Sequence, residues 1–165
     1  MEIRLITRAE LPQVLRIQKE SYPLPLIESE DSFARKVTLF PEGCLGGFEG
    51  QRLVAYLFTH PWISGAIVTL NDGMTGAPHE ANCLYIHDLA VLRPWRGRGV
   101  AHALLKRAAQ VARSREYETI ALVAVNETES FWERYGLRRR FTLTYAHGIR
   151  ATYMMVNARN ARFLV

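Results

Sequence analysis

A mixed α/β domain, with a central twisted sheet of about seven strands flanked by about four helices, is the fold class that the 165-residue sequence predicts. Three observations carry it. Short runs show strand-like apolar patterning, other stretches place apolar residues at helical spacing, and one strand–helix–strand succession in the middle requires a parallel crossover. The length suffices for one self-sufficient core, so residues 1–165 are expected to form a single domain.

Glu2 to Ile6 alternates polar and apolar residues as a short strand does. Thr7 and Glu10 have the spacing of a capping box, and Leu11, Val14, Leu15 and Ile17 continue as a helix that Tyr22-Pro23-Leu24-Pro25 ends. A second helix is expected around Asp31 to Phe40, stopped by Pro41-Glu42-Gly43. Cys44 to Phe48 and Leu53 to Thr59 read as a hairpin turning at Gly50. Ser64 to Asn82 collects Gly65, Gly73, Gly76 and Pro78 and reads as one long loop, a length that in a compact domain often marks function. Asn82 to Leu92 is a strand, Gly99 to Arg115 a helix with Val100, Leu104, Ala108 and Val111 on one face, and Thr119 to Val125 a continuous apolar strand. A short helix over Thr128 to Tyr135 precedes a closing hairpin, Arg138 to Ala146 and Arg150 to Asn157, around His147-Gly148.

Hydrophobic residues at 48% and charged residues at 22% exclude a disordered or fibrous chain. Cys44 and Cys83 have no partner at metal-ligand spacing, so buried thiols and no metal site are expected. With no leader-like run and no apolar span of membrane length, a cytoplasmic protein without a membrane partner is expected. The net charge of +5 is uneven: between Arg93 and Arg115 stand seven basic residues and no acidic one, which leaves 5 − 7 = −2 for the remainder. Positive charge gathered on one turn and helix points to a phosphate-bearing cofactor, and no nucleic-acid motif accompanies it.

The segment Val91-Leu92-Arg93-Pro94-Trp95-Arg96-Gly97-Arg98-Gly99-Val100-Ala101 lies between a strand and a helix. Its glycines let the backbone turn tightly and expose amides, and the helix starting there adds the positive end of its dipole, together a phosphate cradle. It is neither a Walker A loop nor a dinucleotide fingerprint, because no Gly-Lys-Ser/Thr and no third glycine follow.

Arg96-x-x-Gly99-x-Ala101 resembles the Arg/Gln-x-x-Gly-x-Gly/Ala loop of the GNAT superfamily of acyl-CoA-dependent N-acyltransferases. Leu89 to Pro94 resembles the end of that family's fourth strand, and Asn126 through Phe131-Trp132-Glu133-Arg134-Tyr135-Gly136-Leu137 its later Asn…Phe-Tyr-x-x-x-Gly-Phe segment. Within the family, Tyr85-Ile86-His87-Asp88-Leu89-Ala90-Val91 with Phe40 to Cys44 is most similar to the arylalkylamine (serotonin-type) N-acetyltransferases, whose His-Leu-His stretch is here Tyr85-Ile86-His87.

The resemblance implies transfer of an acetyl group from acetyl-CoA to the primary amine of a small molecule by direct attack on the thioester. A protein or peptide acceptor, and a non-catalytic acyl-CoA sensor, are the alternatives. It implies a cofactor site at Leu89, Ala90, Val91, Arg96, Gly97, Arg98, Gly99, Val100, Ala101 and His102, with Asn126 either touching the cofactor or capping the following helix. The strand amides around Leu89 to Val91 would grip the pantetheine arm and receive developing oxyanion charge. An amine arrives mostly as ammonium, with a pKa near about 10, so a base must take its proton. His87 is the candidate base, and the family's strand bulge falls at this place. The family's usual acid is a tyrosine directly after the Phe131 position, where this chain has Trp132; Tyr135 is the candidate substitute, against a packing role. Tyr22, Leu24, Trp62 and Tyr85 are expected to wall the amine pocket, and a monomer or homodimer is expected.

Overall fold

The computed structural model describes residues 1–162. Seven strands and four helices follow in the expected order: β1 (Glu2–Leu5), α1 (Leu11–Ser21), α2 (Glu30–Leu39), β2 (Cys44–Glu49), β3 (Arg52–Trp62), β4 (Cys83–Val91), α3 (Val100–Ser114), β5 (Thr119–Ala124), α4 (Glu129–Glu133), β6 (Arg138–Thr144) and β7 (Arg150–Asn157). They form one sheet in the order β1-β2-β3-β4-β5-β7-β6. Every pairing is antiparallel except β4 with β5, the pair joined through α3.

Local chemistry accounts for the helix boundaries. The Thr7 backbone N–H donates to Glu10 Oε2 at 2.7 Å, closing the box on a single tight turn, and α1 starts after it with Pro12 where no helical N–H is needed. Ser29 caps α2 by accepting from the Ser32 N–H at 3.3 Å, while Glu30 and Asp31 complement the helix dipole. α4 is shorter than its sequence pattern, because the chain continues from Glu133 to a left-handed Gly136 (φ +92°) in tighter turns.

β3 runs three residues further than its patterning predicts, through His60 and Pro61 to Trp62. β2 pairs only as far as Phe58, so β3 beyond it is an edge on that side and Pro61 leaves no ladder bond broken. Helices α1 and α2 pack on one face with Phe33, Tyr56 and Phe58, and α3 covers the other with Leu104, Leu105 and Ala108 against Leu57 and Leu84. Val111 is only partly buried, while Leu105, Ala109 and Ala112 widen the buried stripe of α3 beyond the expected residues.

Two irregularities position the site. Thr59 pairs with Ile86 and Phe58 with Asp88, so His87 is an extra residue, a bulge. In a regular strand Asp88 would face away from His87. Here Leu89 and Val91 join the α3-side core and Ala90 the α1/α2-side core, so His87 and Asp88 stand together on the α1/α2 face. The second irregularity is a wedge: β4 and β5 pair only over Cys83–Tyr85 and Thr119–Ala121, and beyond that they diverge.

The loop expected from Ser64 to Asn82 is irregular, as is Ile63 before it, but tied down. Ser64 donates its N–H to Asn82 Oδ1 at 2.9 Å, the Gly65 N–H donates to the Tyr153 hydroxyl at 2.7 Å, and Val68 is buried. Among the described residues, no helix is long and apolar enough to cross a membrane.

Candidate active site

The wedge opens into a cleft of about 840 Å³. It reaches from the N-terminus of α3, between the diverging strands, to His87 and the loops beyond.

At one end lies the Arg96–Ala101 turn. Gly97 (φ +72°) and Gly99 (φ +77°) adopt left-handed backbone, and a Cβ on either would meet nothing within 4 Å. Glycine is therefore needed for conformation and for leaving the amides open, not for packing. The first helical bond of α3 is the Ala103 N–H to the Gly99 carbonyl at 3.0 Å, and no side chain caps the helix, so the N–H groups up to His102 precede the first helical donor. Arg96 bends back to donate to the Val91 carbonyl at 2.9 Å and lines the cleft.

Only Arg96, of the seven basic residues between 93 and 115, lines the cleft. Arg98 lies over the Trp95 ring at 5.5 Å, Arg115 pairs with Glu42, and Lys106 and Arg107 face a shallow groove beside Arg4. The expectation that this charge gathers on the phosphate side is corrected accordingly: the turn before α3 lays Arg98 on Trp95, helical rotation points Lys106 and Arg107 to the shallow groove, and Arg115 lies beyond the helix. Arg134, 5.4 Å from the Phe131 ring centre, adds a second guanidinium to the cleft.

Along the wedge, β4 offers a bare edge. The Leu92 N–H bonds β3 through the Val54 carbonyl, so the alternate residues Leu89 and Val91 turn their backbone groups away from β3. Their carbonyls are already taken, Leu89 by the Tyr22 hydroxyl at 2.9 Å and Val91 by Arg96, which leaves their amides as donors facing the cleft. Leu122, Val123, Val125 and Phe131 make the opposite wall apolar.

The far end holds the titratable groups. The His87 side chain is 2% exposed; its Nε2 is hydrogen-bonded to Glu28 Oε1, while Nδ1 has no partner among the described residues. Glu28 is in turn held on its other oxygen by the Ser32 hydroxyl at 2.9 Å and the Asn71 amide at 2.6 Å, with Lys36 Nζ 4.0 Å away. Burial pushes the Glu28 carboxyl up, but His87, Lys36 and the Asn71 amide together outweigh it and hold it at about 2. An ionised carboxylate only accepts, so Nε2 carries a proton and Nδ1 is the nitrogen at which the ring gains and loses one.

His60 lies beside this pair, its ring centre 5.6 Å from that of His87 and 5.4 Å from that of Tyr85. Burial, helped by His87, lowers it to about 3 and keeps it neutral. Tyr22, Tyr85 and Tyr145 bring aromatic rings to the same end, and the Tyr145 hydroxyl donates to the Val68 carbonyl at 2.8 Å.

Asp88, beside His87, accepts from the Tyr56 hydroxyl at 2.7 Å. Burial raises its carboxyl to about 6 despite the Tyr22 hydroxyl beside it and the hydrogen bond from Tyr56. A carboxyl at about 6 when folded against an ordinary 3.8 costs stability once both states are ionised, and the cost fades as pH falls through that window. Asp88→Asn is therefore expected to melt higher than wild type at about pH 7.5, with the gap closing towards about pH 3.5 in a thermal-melt series.

Of the residues singled out from the sequence, His87, Tyr135, Leu89, Ala90, Val91, Arg96, Gly97, Gly99, Val100, Ala101, His102, Asn126, Tyr22 and Tyr85 all line the cleft. Arg98, Leu24 and Trp62 do not: Leu24 is 87% exposed and Trp62 packs edge-on against His60. Asn126 is left-handed (φ +54°) and the cap of α4 is Thr128, so the capping reading of Asn126 is replaced by a place in the cleft wall. Tyr135 stacks on His102 at 6.1 Å and meets Phe131 edge-on at 5.3 Å, while Trp132 is buried. Sequence reasoning missed Glu28, Leu70, Arg134 and Tyr145. Among the described residues, no three His, Cys, Asp or Glu side chains converge as a metal site.

The family model for the Acetyltransferase (GNAT) family matches residues 11–137, and the chain belongs to this family. Over 120 residues, 64% of its length, it is 26% identical to the uncharacterized N-acetyltransferase YkwB of Bacillus subtilis (strain 168), and it spans about half (52%) of that protein. In fold it is similar to the loading GNATL domain of CurA from Lyngbya majuscula, with TM-score 0.84, 11% identity and coverage of 96% of this chain and 98% of that one. It is also similar to Arabidopsis thaliana Naa50 in complex with the bisubstrate analogue CoA-Ac-MVNAL, with TM-score 0.73, 15% identity, and 94% and 97% coverage.

The residues present fit an acyl-CoA. The uncapped amides of α3 and the two cationic side chains suit its phosphates, the two β4 amides suit the pantetheine arm, and the narrowing wedge leads to His87.

Proposed function

We propose that this protein transfers an acetyl group from acetyl-CoA to the primary amine of a small molecule by direct attack of the amine on the thioester. The observation that carries it is the continuity of one cleft from the open amides at Gly99–His102 to a buried imidazole whose Nδ1 is unpartnered.

When bound, acetyl-CoA supplies the electrophilic carbonyl carbon and a thiolate that leaves as the new C–N bond forms. His87 Nδ1 takes the ammonium proton, and Glu28, hydrogen-bonded to Nε2, stabilises the imidazolium that results. The amide of Leu89, the one nearer His87, would take up charge that develops on the carbonyl oxygen, and that of Val91 would hold the pantetheine arm. Cysteine relay is disfavoured: neither cysteine lines the cleft, and burial raises the Cys83 thiol to about 11 and the Cys44 thiol further. Tyr135 is the candidate acid towards the departing thiolate, its hydroxyl raised above the ordinary tyrosine range by burial. Tyr135→Phe is then expected to lower kcat by about tenfold to a hundredfold with KM little changed; full retention of kcat would reduce Tyr135 to packing against His102 and Phe131.

The small acceptor is favoured by the closure of the far end. The Tyr145–Val68 bond ties the β6–β7 turn to the long loop there, and Leu70 from the same loop lines the cleft. An arylalkylamine is favoured within that class by the rings of Tyr22, Tyr85 and Tyr145, and by a second imidazole beside His87 that comes from β3 rather than from the Tyr85 position. A peptide N-terminus is the second reading, kept by the likeness to Naa50, which was solved with a peptide-based analogue. Mass-spectrometric detection of N-acetyl product over serotonin-like amines, polyamines and peptide N-termini tests both. Product with the small amines is expected, and product with peptides alone would overturn the small-acceptor reading.

A further inference from the structure

Two carboxylates lie near His87, Glu28 buried and Asp88 half-buried, and their surroundings differ. Glu28 is compensated by the imidazole, the Ser32 hydroxyl, the Asn71 amide and Lys36. Asp88 has phenols instead. Tyr56 donates to it, Tyr22 lies against it, and among the described residues it forms no ion pair with any Lys, Arg or His.

A carboxylate withdrawn from water without a counter-ion is costly and is retained where a cation arrives to complete it. Asp88 lines the cleft, on the α1/α2 face where the bulge brings it beside His87. The adjacent Nδ1, in a side chain 2% exposed and without a partner, independently marks the same place as one meant to receive a donor. A protonated amine suits both, because it carries enough N–H groups to donate to a carboxylate oxygen and to an imidazole lone pair.

We infer that Asp88 is the docking carboxylate of the acceptor subsite, recognising a cationic amine by its ammonium head while the rings of Tyr22, Tyr85 and Tyr145 enclose its apolar body. This rests on the acetyl-transfer reading for its purpose and deepens it by naming the charge of the acceptor. Asp88 holds the ammonium until His87 removes one proton. The resulting amine is neutral, so its attraction to the carboxylate weakens as its lone pair becomes available.

The test compares binding of phenethylamine with that of 2-phenylethanol, a neutral molecule of the same length, by calorimetry on the whole protein with and without coenzyme A. Wild type is expected to bind the amine at least about tenfold more tightly than the alcohol, as a charge-assisted hydrogen bond provides. In Asp88→Asn the preference is expected to fall below about threefold, with alcohol binding little changed. Equal affinities in wild type, or a preference undiminished in Asp88→Asn, would overturn the assignment. Failure of coenzyme A to bind would instead count against acetyl transfer, since the amine–alcohol comparison is read separately in its absence.

Discussion

His87→Ala is expected to lower kcat/KM for amine acetylation by about 10²–10⁴-fold while coenzyme A binds as it does to wild type. The size follows from the role. An acceptor that is almost entirely ammonium near neutral pH does not attack until a proton is removed, and among the described cleft residues His87 alone combines a free ring nitrogen with a fixed proton on the other. Glu28→Gln is the companion. It keeps the shape and a hydrogen bond but loses the charge that favours imidazolium, so the acidic limb of the kcat/KM profile is expected to move to lower pH as the plateau falls. The same substitution removes a carboxyl held at about 2 against an ordinary 4.5. Wild type should therefore be the more stable protein above that range, and the advantage should vanish as pH falls towards 2. A His87→Ala enzyme with unchanged kcat/KM and pH profile would remove the base from the account.

Gly99→Asp is expected to weaken coenzyme A binding by about a hundredfold or more without unfolding the protein. Aspartate tolerates the left-handed backbone at φ +77° better than most residues, and a Cβ there meets no neighbour. Its carboxylate stands beside the amides that precede the first helical bond of α3 and is itself favoured by the helix dipole, so it competes with a phosphate for the same donors. Titration calorimetry checks the affinity and a thermal melt checks the fold. Tight coenzyme A binding by Gly99→Asp would place the phosphates elsewhere than this turn.

Much of this was legible in the residues, for identifiable reasons. Apolar periodicity located the strands and helices because burial against a sheet leaves a period in the sequence, and the Arg96–Ala101 turn was visible because its glycines and following helix are contiguous. His87 stood out as an imidazole in an apolar strand. Its partner did not, since Glu28 is 59 positions away and only the fold brings them together. The bulge that seats Asp88 beside His87 was expected from the family resemblance alone, since the pattern of the Tyr85–Leu89 stretch suits a regular strand equally well. Tyr145 and Leu70 reach the cleft through loops whose path depends on single bonds such as Tyr145 to Val68, and Leu24 is turned to solvent by the tight turn after Pro23. The basic run between Arg93 and Arg115 looked like one patch because a linear count sees neither the turn that lays Arg98 on Trp95 nor the rotation of α3.

The central claim is direct transfer within one cleft, from acetyl-CoA to a small amine, with His87 taking the proton. Its most direct test is a stoichiometric one: free thiol released and N-acetyl-amine formed, measured together with the intact mass of the protein during turnover with phenethylamine. The account predicts one thiol for each N-acetyl-amine, amine-dependent release, and a protein mass that never gains an acetyl group. Thiol release that ignores the amine, or an acetylated protein that forms and decays during turnover, would contradict it.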